Sequence, residues 1–134
     1  MIVETSAIIA MVWGEPERER FRTAIVEAST ARMSAASYLE ASIVVDARGD
    51  RELSSMFDQL IENLDIVVEP VTRVQADIAR DAYRRYGRGS GHPAGLNFGD
   101  CFGYALAKES GQHLLFKGSD FVHTDVQAAV APVE

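Results

Sequence analysis

The sequence predicts an α/β fold: a central parallel β-sheet flanked by helices on both faces. Three observations carry this prediction. Short apolar runs stand at residues 1–3, 66–68 and 113–116, stretches of helical periodicity separate them, and the 134 residues suffice for one core. Because two ordinary domains would not fit in that length, residues 1–134 are read as a single domain.

The apolar start Met1-Ile2-Val3 reads as a strand, and Glu4-Thr5-Ser6 ends it and caps a helix through about Val12, with Thr5 taken as the capping residue. Residues 15–28 follow with an acidic first turn, Pro16 early, and Phe21, Ala24, Ile25 and Ala28 at helical spacing. A brief extended segment at 32–35 leads into a helix over 36–47 carrying Leu39, Ile43 and Val44 at helical intervals. Gly49-Asp50 breaks that helix. Leu53, Met56, Phe57, Leu60 and Leu64 then form a clear stripe ahead of the strand Ile66-Val67-Val68.

Pro70 closes the strand, and Thr72 caps a helix running to about Tyr86 with a basic far end. Residues 87–95 hold four glycines and a proline without apolar periodicity, which predicts a mobile loop. Asn97 caps a helix over roughly 98–110, stopped by Gly111, and 113–116 reads as a buried strand. For 126–130 the composition suits an edge strand or a short helix equally well.

Composition narrows the function classes. No stretch approaches the roughly 20 apolar residues that cross a bilayer, and the N-terminus lacks a signal-peptide pattern, so no membrane role and a cytoplasmic location are expected. The single cysteine, Cys101, makes no internal disulfide and excludes a thiolate zinc site; it reads as a small buried side chain. A formal charge of −7 argues against coating nucleic acid by simple attraction, unless a local basic patch or bound cations reverse the sign. A phosphate-binding doubly wound domain is disfavoured because no glycine-rich loop follows the first strand.

In parallel sheets of this class, ligand sites gather outside the carboxyl ends of the strands. Glu4 follows the first strand, Asp100 opens a helix after a loop, Asp120 follows the last strand, and Glu40 lies on the helix after the second extended segment. Four carboxylates in one cleft repel one another unless cations are present, and hard oxygen donors favour Mg²⁺ or Mn²⁺. Chance weighs on the other side, since 20 of 134 residues are acidic and Asp at a helix start is ordinary capping.

The order of four segments decides between these readings. Ile2-Val3-Glu4-Thr5-Ser6-Ala7-Ile8 resembles the N-terminal Asp-Thr-Ser-Ala signature of PIN-domain toxins of the VapC family, and Ala36-Ser37-Tyr38-Leu39-Glu40 resembles their second motif. Asn97-Phe98-Gly99-Asp100-Cys101 and Leu115-Phe116-Lys117-Gly118-Ser119-Asp120-Phe121 are similar to the third and fourth, so the resemblance spans essentially the whole chain. It implies a PIN fold and an Mg²⁺-dependent endoribonuclease, with Mn²⁺ as possible substitute, acting on tRNA or other structured RNA. It also implies that Glu4, Glu40, Asp100 and Asp120 form the catalytic metal site, with Ser6 shaping the surroundings of the first acid.

The same resemblance implies a cognate antitoxin of the VapB type, a homodimer, and a heterotetramer or larger complex with that antitoxin. An antitoxin can block such a cleft by placing an Arg or Lys among the carboxylates. One position departs from the pattern: Glu4 stands where the family has Asp. The added methylene moves the carboxylate by about 1.3–1.5 Å, and a shift of that size can cost on the order of a hundredfold in rate. Hence an alternative expectation, a silent PIN domain that binds RNA or an antitoxin without cutting.

Weaker signals remain. Arg80, Arg84, Arg85 and Arg88 cluster with Tyr83, Tyr86 and His92 before and within the glycine-rich loop. They read either as an RNA-tracking patch, with Arg84, Arg85 and Arg88 as the contacts, or as a solvated helix end. His113 and His123 lack ligand spacing, Asp125 reads as a turn or cap residue in preference to a place near the metal cleft, and Trp13 serves packing or a dimer contact.

Overall fold

Alternation along one two-residue strand organises the molecule: in β1 (Ile2–Val3) the two side chains point to opposite faces of the sheet and enter different cores. In this computed structural model, which describes residues 1–132, β1 lies between β2 (Ala31–Ser34) and β4 (Leu114–Leu115), and β3 (Ile66–Glu69) pairs with β2. All pairings are parallel and the spatial order is β3-β2-β1-β4. The two residues 133 and 134 of the expected 1–134 unit lie outside the described residues.

Six helices cover the sheet: α1 (Thr5–Val12), α2 (Arg18–Glu27), α3 (Ala35–Asp46), α4 (Arg51–Asn63), α5 (Arg73–Tyr86) and α6 (Asp100–Ser110). Val3, Met33, Ile66 and Leu115 bury against Ile8, Phe21, Val45 and Phe57 of the first four helices. Ile2, Leu114 and Phe116 bury on the other face against Ala82, Tyr104 and Leu106 of α5 and α6. The predicted α/β architecture with helices on both faces is therefore the observed one.

The chain moves from β1 to β2 to β3 in one direction, then crosses by α5 and α6 to β4 on the far side of β1. Strand order reverses between β1 and β4, the point where ligand sites form in open parallel sheets.

Local chemistry explains the boundaries and several departures from expectation. Asp50 caps α4 through Glu52 and Leu53 amides, and Thr72 caps α5 through the Gln75 amide. Thr5 does not cap α1: the Glu4 carboxylate takes the Ser6 amide instead, and Thr5 Oγ1 donates to the Ser37 carbonyl at 3.2 Å. Leu39, Ile43 and Val44 form a helical stripe on α3, yet they are exposed, while Ser37, Ala41 and Val45 face the core. Periodicity marks a face without saying which way it points, and small residues let α3 approach α1 closely.

Residues 87–95 close on themselves: Leu96 N–H donates to the Tyr86 carbonyl and Arg88 N–H to the Leu96 carbonyl, while Ala94 and Leu96 are buried. The expected mobile loop is thus tied at its base by two apolar anchors, and its glycine-rich tip is exposed. In the tail, Ala128 makes a parallel bridge to Leu114, the edge-strand alternative in its shortest form.

Candidate active site

Four carboxylates from four separate segments line one cleft of about 300 Å³ at the carboxyl end of the sheet: Glu4, Glu40, Asp100 and Asp120, with Ser6 and Lys117 beside them. The structure therefore brings together all four predicted acids and Ser6. A larger hollow of about 690 Å³ adjoins it and shares Lys117 but holds none of the four acids, so chemistry and not size selects the smaller cleft.

Glu4 leaves β1 at the strand-order reversal, its amide bonded to the Leu115 carbonyl at 2.9 Å. It is 2% exposed and sits at the N-terminus of α1, where Oε2 accepts the Ser6 amide at 2.7 Å and the Ser6 hydroxyl at 2.5 Å. Ser6 Oγ in turn accepts the Lys117 amide at 2.9 Å, which directs its proton toward Glu4. Oε1 has no hydrogen-bond partner among the described residues.

Burial raises the Glu4 carboxyl to about 7, against the opposing pull of the two Ser6 hydrogen bonds, and the charges of Asp100 and Glu40 add to the rise. Gly103 on α6 makes room for this side chain, because a Cβ there would stand 3.0 Å from Glu4 Cγ.

Asp100 is held by a reciprocal pair: its amide donates to Asn97 Oδ1 at 2.9 Å, and its Oδ2 accepts the Asn97 amide at 3.0 Å. This reciprocal pair has the form of a capping box, with Asp in place of the usual Glu, in the turn ahead of the helix. The helix α6 itself begins at Asp100, later than the expected start near 98, with Gly99 and not Asn97 at its N-cap. Burial raises the Asp100 carboxyl despite the Asn97 bond; Asp120 and Glu40 raise it further, and Arg88 opposes them. The Glu40 carboxylate lies directly against Gly99, where any Cβ would overlap it. Asp120 precedes a short 3₁₀ turn, Phe121–His123.

The donor set is all hard oxygen, which suits Mg²⁺ or Mn²⁺. Among the described residues, no three His, Cys, Asp or Glu side chains stand close enough to cage an ion unaided. That is compatible with Mg²⁺, which typically takes one or two carboxylates and keeps several waters. What fits a cation here is the chemistry of the donors, four carboxylates on one cleft with Glu4 Oε1 free of any hydrogen bond among the described residues. The mutual repulsion of the acids adds to the effect of burial on Glu4 and Asp100.

The basic cluster divides. Arg85 is occupied: it pairs with Asp81 at 3.1 Å, donates to the Tyr104 hydroxyl at 2.9 Å and lies over the Tyr86 ring. Arg84 and Arg88 are exposed, and Arg88 is near enough to Asp100 to lower its pKa. Asp125 is neither cap nor cleft residue; it accepts from the Tyr104 hydroxyl at 2.6 Å and from Lys108 at 3.1 Å. Cys101 is buried as expected, and burial raises its thiol to about 11. Trp13 packs against the first core under the Arg48 guanidinium. Sequence reasoning missed Lys117, whose only signal was its place directly after the last strand.

Fold and cleft together define a PIN domain: the profile of the PIN domain family matches residues 1–127, and the chain belongs to that family. Within it the chain groups with the VapC ribonucleases. It is 55% identical over 130 residues to VapC ribonuclease Mb0625 of Mycobacterium bovis, covering 97% of this chain and 98% of that one. The same figures hold for Ribonuclease VapC28 of Mycobacterium tuberculosis. Ribonuclease VapC30 of that organism is 48% identical, covering 98% of this chain and all of its own. A crystal structure of Mycobacterium tuberculosis VapC20, described as a sarcin–ricin loop cleaving toxin, superposes with a TM-score of 0.72 over 98% of both chains at 17% identity. At that identity the likeness speaks for the fold alone.

Proposed function

We propose that this chain is an Mg²⁺-dependent endoribonuclease, with Mn²⁺ as substitute, and the toxin of a toxin–antitoxin pair. The observation that carries the reading is the convergence of four carboxylates from four segments in one cleft, in a chain whose full-length relatives are named ribonucleases. On this reading Glu40 and Asp100 hold the cation directly, and Glu4 and Asp120 complete its charge balance. Ser6 fixes Glu4 by engaging Oε2 alone, which leaves Oε1 for the cleft. When bound, the cation supplies acidification of water and neutralisation of phosphoryl charge. The protein's own part is to hold the acids rigidly, Glu4 through Ser6 and Lys117 and Asp100 through Asn97.

The substrate class is tRNA or another structured RNA, and the partners are a cognate VapB-type antitoxin and a second copy of the chain, in a heterotetramer or larger complex. The location is the cytoplasm; no helix among the described residues is long and apolar enough to cross a membrane. Full-length similarity to named ribonucleases favours this reading over a silent domain marked by Glu4.

The test incubates the purified chain and its Glu4→Asp version with bulk cellular RNA in Mg²⁺, Mn²⁺ or chelator and maps new ends. Metal-dependent cutting that stops in chelator and is abolished by Asp100→Ala or Glu40→Ala is the expected result. Absence of cutting by both versions under every metal overturns it.

A further inference from the structure

Lys117 is the one cation among the described residues that line the acid cleft. Its ammonium is nevertheless turned away from the four acids and onto the turn between α1 and α2, where it pairs with Glu15 and stands 3.3 Å from Glu17 Oε2. The Glu17 oxygen is buried and finds no well-formed hydrogen bond, so one lysine serves two carboxylates and fully satisfies only one. The side chains are 35%, 31% and 21% exposed for Lys117, Glu15 and Glu17. Such partly exposed pairs are screened by water more than sealed ones, and a competing anion can displace them.

The backbone of Lys117 is fixed, because its amide donates to Ser6 Oγ. The ammonium at the end of a four-carbon stem is a compact charge with three donors, free to re-aim about that fixed base. Resting on Glu15 and Glu17, it does not compete with a cation for Glu4 or Asp100. A phosphodiester drawn to the cleft offers it anionic oxygens on the other side.

We propose that Lys117 is a phosphate-binding residue latched by Glu15 and Glu17: in the free protein its ammonium rests on the two glutamates, and in the RNA complex it transfers to a phosphate oxygen. The proposal rests on the reading of the cleft as a nuclease site. It adds a substrate contact from a group that points away in the free chain, and it gives the α1–α2 turn a part in substrate binding.

The experiment titrates bulk tRNA onto the Asp100→Asn chain across a range of KCl, with Lys117→Ala, Lys117→Arg, or the pair Glu15→Gln and Glu17→Gln added. Lys117→Ala is expected to weaken binding about three- to tenfold and to reduce the slope of log affinity against log salt by about 0.7–0.9, one released counterion. Lys117→Arg restores the slope. The two glutamine substitutions tighten binding severalfold, and that gain disappears in the Lys117→Ala background. An unchanged slope in Lys117→Ala, or a gain from the glutamine pair that persists without Lys117, overturns the latch.

Because the glutamine pair keeps the lysine and its backbone contacts, it tests the latch even if Lys117→Ala folds poorly: no gain in affinity from the pair overturns it. Wild-type cleavage of the same tRNA in Mg²⁺ separates the two levels. If cleavage occurs and the slope does not move, only the latch fails. If neither the wild type nor Glu4→Asp cuts cellular RNA with any metal, the nuclease reading fails and the latch falls with it.

Discussion

Glu4 concentrates the cost of building this cleft in one side chain. A carboxyl group that is 2% exposed and surrounded by other acids is raised to about 7 chiefly by burial. The sign follows directly: a carboxylate raised in the folded state leaves stability untouched below its usual value of 4.5, erodes it between 4.5 and about 7, and costs most above that. Glu4→Gln keeps an acceptor for Ser6 and removes the charge. In chelator it is expected to stabilise the chain by about 1–3 kcal/mol at pH 8 and by little at pH 4, read by thermal unfolding. Mg²⁺ is expected to raise the melting temperature of the wild type more than that of the variant. Glu4 and Asp120 were legible because each follows a strand and Asp100 because it opens a helix, whereas Glu40, in the middle of α3, stood out through the resemblance of its motif. The bond of Thr5 to Ser37 was not, since it spans elements whose packing no local pattern encodes.

Among the elements, α6 does most to shape the site, and it does so partly through side chains it lacks. Gly99 lies flat against the Glu40 carboxylate and Gly103 against Glu4. Gly99 has helical dihedrals of −62° and −37°, so alanine is welcome to the backbone there. What a Cβ would strike is the end of a flexible side chain. Gly99→Ala is therefore expected to keep the melting temperature within about 2 °C while displacing Glu40 and cutting ribonuclease activity at least about tenfold. A fall in stability with activity retained would show that Glu40 adapts in place. The start of α6 was readable from Asn97 and Asp100, three residues apart. The outward stripe on α3 was not, because Leu39, Ile43 and Val44 repeat with the right period on the solvent side. Direction is set by what the opposite face packs against, and Ala41 and Val45 give no stronger signal in sequence than their neighbours.

For the molecule as a whole, the two cores on either side of the sheet are held by different means. The α5–α6 side carries a polar clasp in which Tyr104, fully buried, donates to Asp125, while Lys108 pairs with the same carboxylate. These bonds and the nearby Arg85 hold the Asp125 carboxyl below its usual 3.8, although the burial it retains works the other way. A depressed carboxylate contributes stability that is complete above about pH 4 and is lost as pH falls through the lowered value. The difference in melting temperature between wild type and Asp125→Asn is thus expected to be constant from neutral pH to about 5 and to close below pH 4. A constant gap down to pH 2 would refute the clasp. Both faces of helices were legible from the alternation of strands and helices. The order β3-β2-β1-β4 was not, because pairing of Ile2 with both Arg32 and Leu114 leaves no trace in local composition.

That last pairing also bears on how such a chain is made. The inner strand β1 is made long before its partner β4, so one of its edges stays open until Leu114 and Leu115 arrive, and Asp120 follows later still. During translation the nascent polypeptide holds Glu4 and Glu40 without the remaining acids. A nuclease of the proposed kind therefore has no cutting centre until the segment that carries Asp120 has been made, beside the RNA-rich machine that builds it.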